Sequence, residues 1–344
     1  MNKLLNLQQK IIPEMMELLD KRYQILKRIY YNQPIGRRAL AQELNLGERI
    51  VRTEVNFLKI QGLVDINSIG MMVTKDGENI LEELEDLIHE INGLSKIEKK
   101  LEKYLGISKA IVVPGDLEKD STVLKEMGRI AALHVKNLIQ DNSIIAVTGG
   151  SSVAQVVDNF PKINKQNLLV VPARGGIGRV IETQASTLAA KLAIKIGANH
   201  KLFHVPDNLS YEALEKMINE PEIKETISYI SKADILIFGI GSAKEMAKRR
   251  GLREEQIEKL INNGAVSEAF GYYFGKNGEF VYKAPTIGLH FDDVKNIKHI
   301  IAIAGGKNKA DAIISTKTQN PNMVLVADEG VAREIINIKE SEGN

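Results

Sequence analysis

The residues with the clearest chemical capacity lie in glycine-rich turns that follow apolar runs. Thr148-Gly149-Gly150-Ser151-Ser152 follows the strand-like run Ile144–Thr148 and opens a helix. Backbone N–H groups at the positive end of a helix bind phosphate, and glycine lets a ligand approach closely. The spacing matches neither a dinucleotide fingerprint nor a P-loop, which needs a lysine. The turn predicts either an anion site or a simple turn with a serine cap.

Three further turns add cations or polar groups to this pattern. Arg174-Gly175-Gly176 follows the next apolar run, and Gln184 lies near the following helix start. Arg249 and Arg250 lie behind Gly239-Ile240-Gly241-Ser242, where we favour a solvated basic turn for these side chains. The guanidinium group of arginine can form bidentate hydrogen bonds with phosphate oxygens.

The fourth turn, Gly305-Gly306-Lys307-Asn308-Lys309, places lysines where a helix begins. Cations are unfavourable there, so a bound anion would explain them. Together the four turns predict one convergent site for a small phosphorylated ligand, with four independent structural turns as the alternative.

A second group of chemically capable residues lies in a basic segment near the amino terminus. Nine Lys or Arg residues lie between Lys21 and Gln61, against only Glu43, Glu48 and Glu54, a local net charge of +6. From Asp76 to Glu90 the chain has seven acidic residues and no Lys or Arg. A compact basic segment indicates a module that binds a polyanion, with a merely basic surface as the alternative.

The pattern within this segment predicts a helix-turn-helix. A short helix from Arg38 to Leu44 and a turn at Asn45-Leu46-Gly47 precede a longer helix from about Glu48 to Ile60. In the longer helix Val51, Val55 and Leu58 share one stripe, and Arg49, Arg52, Thr53 and Asn56 share the opposite face. Arginine and asparagine are the side chains that read guanine and adenine in a major groove. We expect DNA contacts from Arg37, Arg38, Arg49, Arg52, Thr53 and Asn56; a packing module with exposed arginines is the alternative.

Short apolar runs on either side of Asn67-Ser68-Ile69-Gly70 predict a hairpin, the wing of a winged helix. The acidic stretch that follows predicts a linker helix with an apolar stripe suited to a partner helix. We therefore expect a DNA-binding domain over 1–75, a linker helix over 76–93, and an effector-binding and oligomerisation domain over 94–344.

After Gly93 apolar strands alternate with amphipathic helices, which predicts a doubly wound, mostly parallel α/β sheet. Ligands bind such sheets beyond the carboxyl ends of the strands. The predicted strands are 110–113, 144–148, 168–171, 202–205, 235–238, 300–304 and 324–327. The predicted helices include 124–139, 187–196, 211–218, 254–262 and 309–316.

Composition excludes several other classes of protein. The 344 residues favour two domains, and 44% hydrophobic with 26% charged residues is typical of a soluble globular chain. The absence of cysteine excludes disulfides and thiolate sites, and the six histidines show no metal spacing. We expect no metal, no membrane span and no signal peptide, and hence a cytoplasmic protein.

With these features the chain resembles the SorC-type, or deoxyribonucleoside-regulator-like, bacterial sugar-responsive regulators. The resemblance covers nearly the whole chain and is most specific in Gly264-Ala265-Val266-Ser267-Glu268-Ala269-Phe270-Gly271-Tyr272-Tyr273-Phe274. The wider family tends to carry Gly-Asp in place of Ser267-Glu268. That departure points to its glycolytic branch and away from ligands such as deoxyribose phosphate.

The resemblance implies a sensor domain similar to glucosamine-6-phosphate deaminase and ribose-5-phosphate isomerase, with fructose-1,6-bisphosphate as effector and no cofactor. It implies that the effector contacts the loop from Thr148 to Ser152, Arg174, Gln184, Arg249 or Arg250, Glu268 and Lys309. Glu268 would accept from sugar hydroxyls, and Lys309 is favoured over Lys307.

We therefore expect a repressor of glycolytic genes that is a dimer or tetramer on operator DNA, and not an enzyme. The alternative is a sugar-phosphate isomerase or deaminase with an accessory DNA-binding segment. Such an enzyme needs a group poised for proton transfer, and Glu268 is the site residue that could serve.

Overall fold

The computed structural model describes residues 11–178, 180–206, 210–316 and 320–342. The chain divides into two compact units, residues 1–96 and 97–344.

The first unit is a winged helix-turn-helix, as predicted. Its elements are α1 (Pro13–Asn32), α2 (Arg37–Glu43), α3 (Glu48–Ile60), β1 (Val64–Asn67), β2 (Gly70–Val73) and α4 (Lys75–Ile91). The strands pair antiparallel, with Val64 opposite Val73, and form the predicted wing. The predicted apolar stripe Val51, Val55 and Leu58 of α3 is buried against α1, so the faces of this helix are confirmed.

The acidic helix α4 packs into the same core. The hydroxyl of Thr74 accepts a hydrogen bond from the N–H of Gly77, which caps the helix at its start. Leu81 and Ile88 are buried in one cluster with Ile25 and Ile29 of α1. The apolar stripe that predicted a partner helix thus has its partner in α1. The next helix, α5 (Leu94–Leu105), contains the division between the two units.

The second unit contains two sheets and the helices that cover them. Its strands are β3 (Lys109–Val113), β4 (Ile144–Val147), β5 (Leu169–Pro172), β6 (Asn199–His200), β7 (Ile235–Gly239), β8 (Gly241–Ser242), β9 (Ala265–Ala269), β10 (Tyr272–Gly275), β11 (Phe280–Lys283), β12 (His299–Ile303) and β13 (Met323–Asp328). Its helices are α6 (Thr122–Leu138), α7 (Ser151–Asp158), α8 (Ala185–Ile196), α9 (Tyr211–Ile218), α10 (Pro221–Ser231), α11 (Ala243–Arg249), α12 (Glu254–Asn262), α13 (Phe291–Val294), α14 (Ala310–Ser315) and α15 (Glu329–Glu342). Single 3-10 turns cover Ile181–Thr183 and Lys307–Lys309.

The larger sheet has seven parallel strands in the order β3-β13-β12-β7-β4-β5-β6. From β4 the chain adds β5 and β6 on one side, and from β7 it adds β12 and β13 on the other. The direction of winding therefore reverses between β4 and β7. The loops that follow these two strands flank the crevice where doubly wound sheets bind ligands.

One predicted strand is wrong. The run 202–205 is not a strand; β6 consists of Asn199–His200, and residues 201–206 have no regular structure. Phe203 and Val205 are nevertheless buried, and their carbonyl groups accept hydrogen bonds from Ser186 Oγ and the N–H of Gly176. The run is apolar because these two side chains are buried. Their carbonyl groups bond to a loop N–H and a side-chain hydroxyl and not to a neighbouring strand.

The smaller sheet, which the sequence pattern did not predict, is antiparallel in the order β11-β10-β9-β8. In this sheet Glu268 of β9 pairs with Tyr273 of β10 and with Gly241 of β8. Because β8 follows β7 almost directly, the small sheet carries Glu268 to the carboxyl edge of the large one. The position of Glu268 thus depends on pairing between segments that are distant in sequence.

We predict that Ile237→Ala in β7 lowers the free energy of unfolding of the second unit by about 2–5 kcal/mol, because a fully buried side chain is replaced by a cavity. Ile194→Ala on α8 is the matched control, because Ile194 is 79% exposed; we expect a change within about 0.5 kcal/mol. Urea unfolding of both variants measures the difference. Equal effects would contradict the assignment of β7 to the centre of the core.

Candidate functional site

A cavity of about 470 Å³ lies at the carboxyl edge of the seven-stranded sheet. Its walls come from the loops after β4, β5, β7 and β12, together with α11 and the end of β9. The lining includes Thr148–Val153, Arg174, Gly175, Gln184, Arg249, Glu268 and Lys309. All four predicted turns therefore contribute residues to one cavity. Its volume is within the usual range for sites that bind small molecules.

The loop after β4 brings the start of a helix to the cavity. Gly150 has a φ of +118° and precedes α7, which begins without a side-chain cap. The N–H of Gly150 donates to the carbonyl of Thr183, and a Cβ at Gly149 would lie 2.6 Å from that oxygen. Glycine is therefore required for the close packing of this loop. The first N–H groups of α7 form a site of positive potential beside the cavity.

A buried ion cluster lies in the cavity wall. Glu268 Oε1 accepts hydrogen bonds from Arg174 Nη1 at 3.1 Å, Arg250 Nη2 at 2.7 Å and the N–H of Gly271 at 2.7 Å. Burial opposes ionisation of Glu268, but the two guanidinium groups and this N–H outweigh it and lower the pKa of the carboxyl. Glu268 is therefore an ionised anchor for two arginines.

The two candidate arginines behind β8 have different environments. Arg249 is exposed and lines the cavity. Arg250 is 3% exposed, is absent from the lining, and holds Glu268. The prediction of a solvated basic turn is thus wrong for Arg250, because a carboxylate from β9 neutralises it inside the protein.

Gln184 links two segments of the cavity wall. Its Oε1 accepts from the N–H of Ile177, and its Nε2 donates to the carbonyls of Ile177 and Gly178. The resemblance implies that Gln184 contacts the effector. In the structure Gln184 lines the cavity and its amide holds the loop after β5, whereas Gly176 lies outside the lining.

The loop after β12 was predicted to bind an anion through its lysines, and the structure agrees with this only in part. The N–H of Gly306 donates to Asp328 Oδ1 and that of Asn308 donates to Glu118 Oε1, so the chain's own carboxylates accept these bonds. The Nζ of Lys307 lies 3.5 Å from Oδ2 of Asp116, so the two side chains form an ion pair. The prediction that a bound anion accounts for both lysines is therefore wrong for Lys307.

Lys309 alone from that loop lines the cavity. Burial lowers the pKa of Lys309 and the charge of Arg249 adds to this effect, while Glu245 and Asp328 oppose it. An anion in the cavity would stabilise the protonated form. The cavity-lining Glu245 was missed, although Ser242 and Glu245 have the spacing of a helix-capping box, and Ser242 Oγ accepts from the N–H of Glu245.

The predicted DNA-contact residues of the first unit are all exposed: Arg37, Arg38, Arg49, Arg52, Thr53 and Asn56. Thr53 Oγ1 donates to the carbonyl of Arg49, and Arg38 forms an exposed pair with Glu48 at 3.5 Å. Within the described part of the chain, Arg37, Arg49 and Arg52 form no ion pair with an acidic side chain. Their charges are available to an external polyanion.

The described ranges contain no cluster of His, Cys, Asp or Glu that could hold a metal ion. They also contain no helix long and apolar enough to cross a membrane.

Comparison with known proteins identifies both units. The family model of the CggR N-terminal DNA binding domain matches residues 18–88, and a sugar-binding domain family matches residues 89–337. The central glycolytic genes regulator of Priestia megaterium is 44% identical over 338 residues, which are 98% of this chain and 99% of that protein. Its namesake from Bacillus subtilis is 42% identical over 337 residues, with the same coverage.

Solved structures show the same fold. An Enterococcus faecalis protein assigned to the SorC family is 38% identical, covers 70% of this chain and 99% of its own, and has a TM-score of 0.66. The full-length sorbitol operon regulator SorC from Klebsiella pneumoniae has a TM-score of 0.66 at 21% identity, over 91% of this chain and 97% of its own. The chain belongs to the SorC-type family of sugar-responsive bacterial transcriptional regulators, in which its relatives include the central glycolytic genes regulators.

Proposed function

We propose that the chain represses glycolytic genes and that fructose-1,6-bisphosphate weakens its binding to operator DNA. The observation that carries this proposal is the convergence of the α7 amino end, Arg174, Arg249 and Lys309 on one cavity. The names of the relatives at 42–44% identity support glycolytic genes as the target. No cofactor is part of the proposal.

The effector choice rests on the chemistry of the cavity wall. The α7 amino end supplies backbone N–H donors, and Arg249 and Lys309 supply cations from two other elements. A ligand with two phosphates uses both kinds of group, because phosphates bind helix amino ends and cationic side chains alike. Sugar hydroxyls would occupy the region between them.

The proposed DNA contacts are the exposed side chains of α2 and α3. Arg49, Arg52 and Asn56 lie on the α3 face opposite its buried stripe, as in helices that enter a major groove. Arginines at the start of α2 would bind phosphates and fix the register. Two half-sites require a symmetric assembly, so we propose a dimer or tetramer on DNA.

The same site argues against an enzyme. An isomerase or deaminase needs a carboxylate or histidine that can take a proton from the substrate. The carboxylate that the sequence singles out as a possible base is Glu268, and its lowered pKa and three hydrogen-bond donors make it a weak base. We therefore propose a sensor cavity without catalysis. The effector acts by preferring one arrangement of the repressor, since equal affinity for both would shift nothing.

We expect Arg249→Met to weaken fructose-1,6-bisphosphate binding by about 10- to 100-fold, because a charge-assisted hydrogen bond contributes roughly 1.5–3 kcal/mol. Lys248→Met is the matched control, because the exposed Lys248 lies outside the lining. Calorimetric titration gives both affinities. Equal affinity in the two variants would remove Arg249 from the site.

Effector affinity should fall at alkaline pH as the pH rises through the lowered pKa of Lys309, because the phosphates bind the protonated amine. Below that pKa the lysine is charged and affinity is full. Lys309→Arg should abolish this loss, since arginine stays charged. Titrations over an alkaline pH series test this, and identical pH profiles for both proteins would count against Lys309.

Arg52→Ala should reduce affinity for a cognate duplex by about 1–3 kcal/mol and relax sequence preference at one position. The duplex is one that the full chain selects from random-sequence DNA. Fluorescence anisotropy at fixed salt, with a scrambled duplex as control, measures both effects. Unchanged affinity and preference would exclude Arg52 from base reading.

A further inference from the structure

Helix α1 holds both helices of the helix-turn-helix through acidic side chains. Glu43 of α2 accepts hydrogen bonds from Asn32 Nδ2 at 2.6 Å and from Arg28 Nη1 at 3.2 Å. Glu54 of α3 accepts from Arg22 Nε at 2.8 Å. Two of the three acidic residues in the basic segment therefore bind side chains of α1.

Arg22 makes a second contact with α3. Its guanidinium carbon lies 3.6 Å from the centre of the Phe57 ring, so the cation stacks on the aromatic face. Glu54 and Phe57 are three residues apart and hence neighbours on the helix surface. A planar guanidinium can form the ion pair at its edge and the stack on its face at once, which an ammonium cannot.

The ion pair lies on the buried side of α3, whereas the stack is on Phe57, which is 37% exposed and one helical turn from Thr53. Glu54 is buried beside the apolar stripe of α3, whereas Arg49, Arg52 and Asn56 are exposed. Two contacts from one side chain restrict rotation of α3 about its axis. That rotation decides which side chains of α3 face outward, and base-edge hydrogen bonds tolerate little displacement.

We propose that Arg22 is a positioning residue for sequence reading: its ion pair with Glu54 and its stack on Phe57 set the orientation of α3. This proposal rests on the proposed role of α3 in DNA binding. Arg22 acts through α3 and contributes no phosphate contact of its own.

The test uses the full chain and a duplex that it selects from random-sequence DNA. Arg22→Met keeps much of the side-chain length and removes the ion pair and the stack. We expect affinity for the selected duplex to fall about tenfold, as the two lost contacts together suggest. Affinity for a scrambled duplex and the slope of log affinity against log salt should stay unchanged, because no counterion-displacing contact is lost.

Glu54→Gln separates positioning from simple electrostatics by the sign of its effect. Removing a negative charge from a DNA-binding surface should tighten binding if charge alone matters. The positioning role predicts weaker binding to the selected duplex. Glu48→Gln is the matched control, because Glu48 lies at the start of the same helix and, among the described residues, forms only an exposed pair with Arg38; this variant should bind DNA at least as well as the wild type.

Arg22→Lys and thermal melting complete the experiment. The lysine keeps a cation but loses the planar stack, so its specific affinity should lie between those of wild type and Arg22→Met. Melting curves show that each variant is folded at the binding temperature.

A salt slope that Arg22→Met reduces by about one would show that Arg22 contacts a phosphate, and would overturn the proposal. Equal losses on selected and scrambled duplexes, or tighter binding by Glu54→Gln, would also overturn it. If the wild-type chain selects no duplex, the proposed function itself fails.

Discussion

The ion cluster around Glu268 is the constraint on which the cavity depends. One carboxylate oxygen accepts bonds from Arg174 after β5, Arg250 at the end of α11 and the backbone of Gly271. It thereby ties the small antiparallel sheet to the carboxyl edge of the large parallel sheet. Breaking a buried pair leaves an uncompensated charge at a cost of about 3–5 kcal/mol. The cluster therefore fixes one wall of the cavity, and the proposed ligand would meet a preformed surface.

Both units use internal carboxylates to orient cations. In the second unit Glu268 holds the cavity-lining Arg174, and Asp328 and Glu118 hold the loop that presents Lys309. In the first unit Glu43 and Glu54 bind side chains of α1. The cations proposed for external anions, Arg249 in the cavity and Arg49 and Arg52 on α3, lie on helices. In the second unit this preorganisation lowers the conformational cost of binding a phosphate.

Periodicity predicted most of the fold because it reports local structure. The helix-turn-helix, the wing and six of the seven parallel strands followed from apolar spacing, and the turns after parallel strands had to meet at one edge. The partners of individual groups were not predictable, because they come from distant segments. Glu268 pairs with an arginine 94 positions away, and Gly306 bonds to Asp328 beyond the next helix. For the same reason Arg250 was expected in solvent and 202–205 as a strand.

The central claim is that a phosphorylated ligand in the second unit lowers the DNA affinity of the first. The most direct measurement is the anisotropy of a labelled selected duplex, bound to the full chain, as fructose-1,6-bisphosphate is added at constant ionic strength. The account predicts that DNA affinity falls as the ligand saturates, by the same factor that DNA lowers ligand affinity. A DNA affinity that stays constant while calorimetry shows a saturated cavity would contradict it.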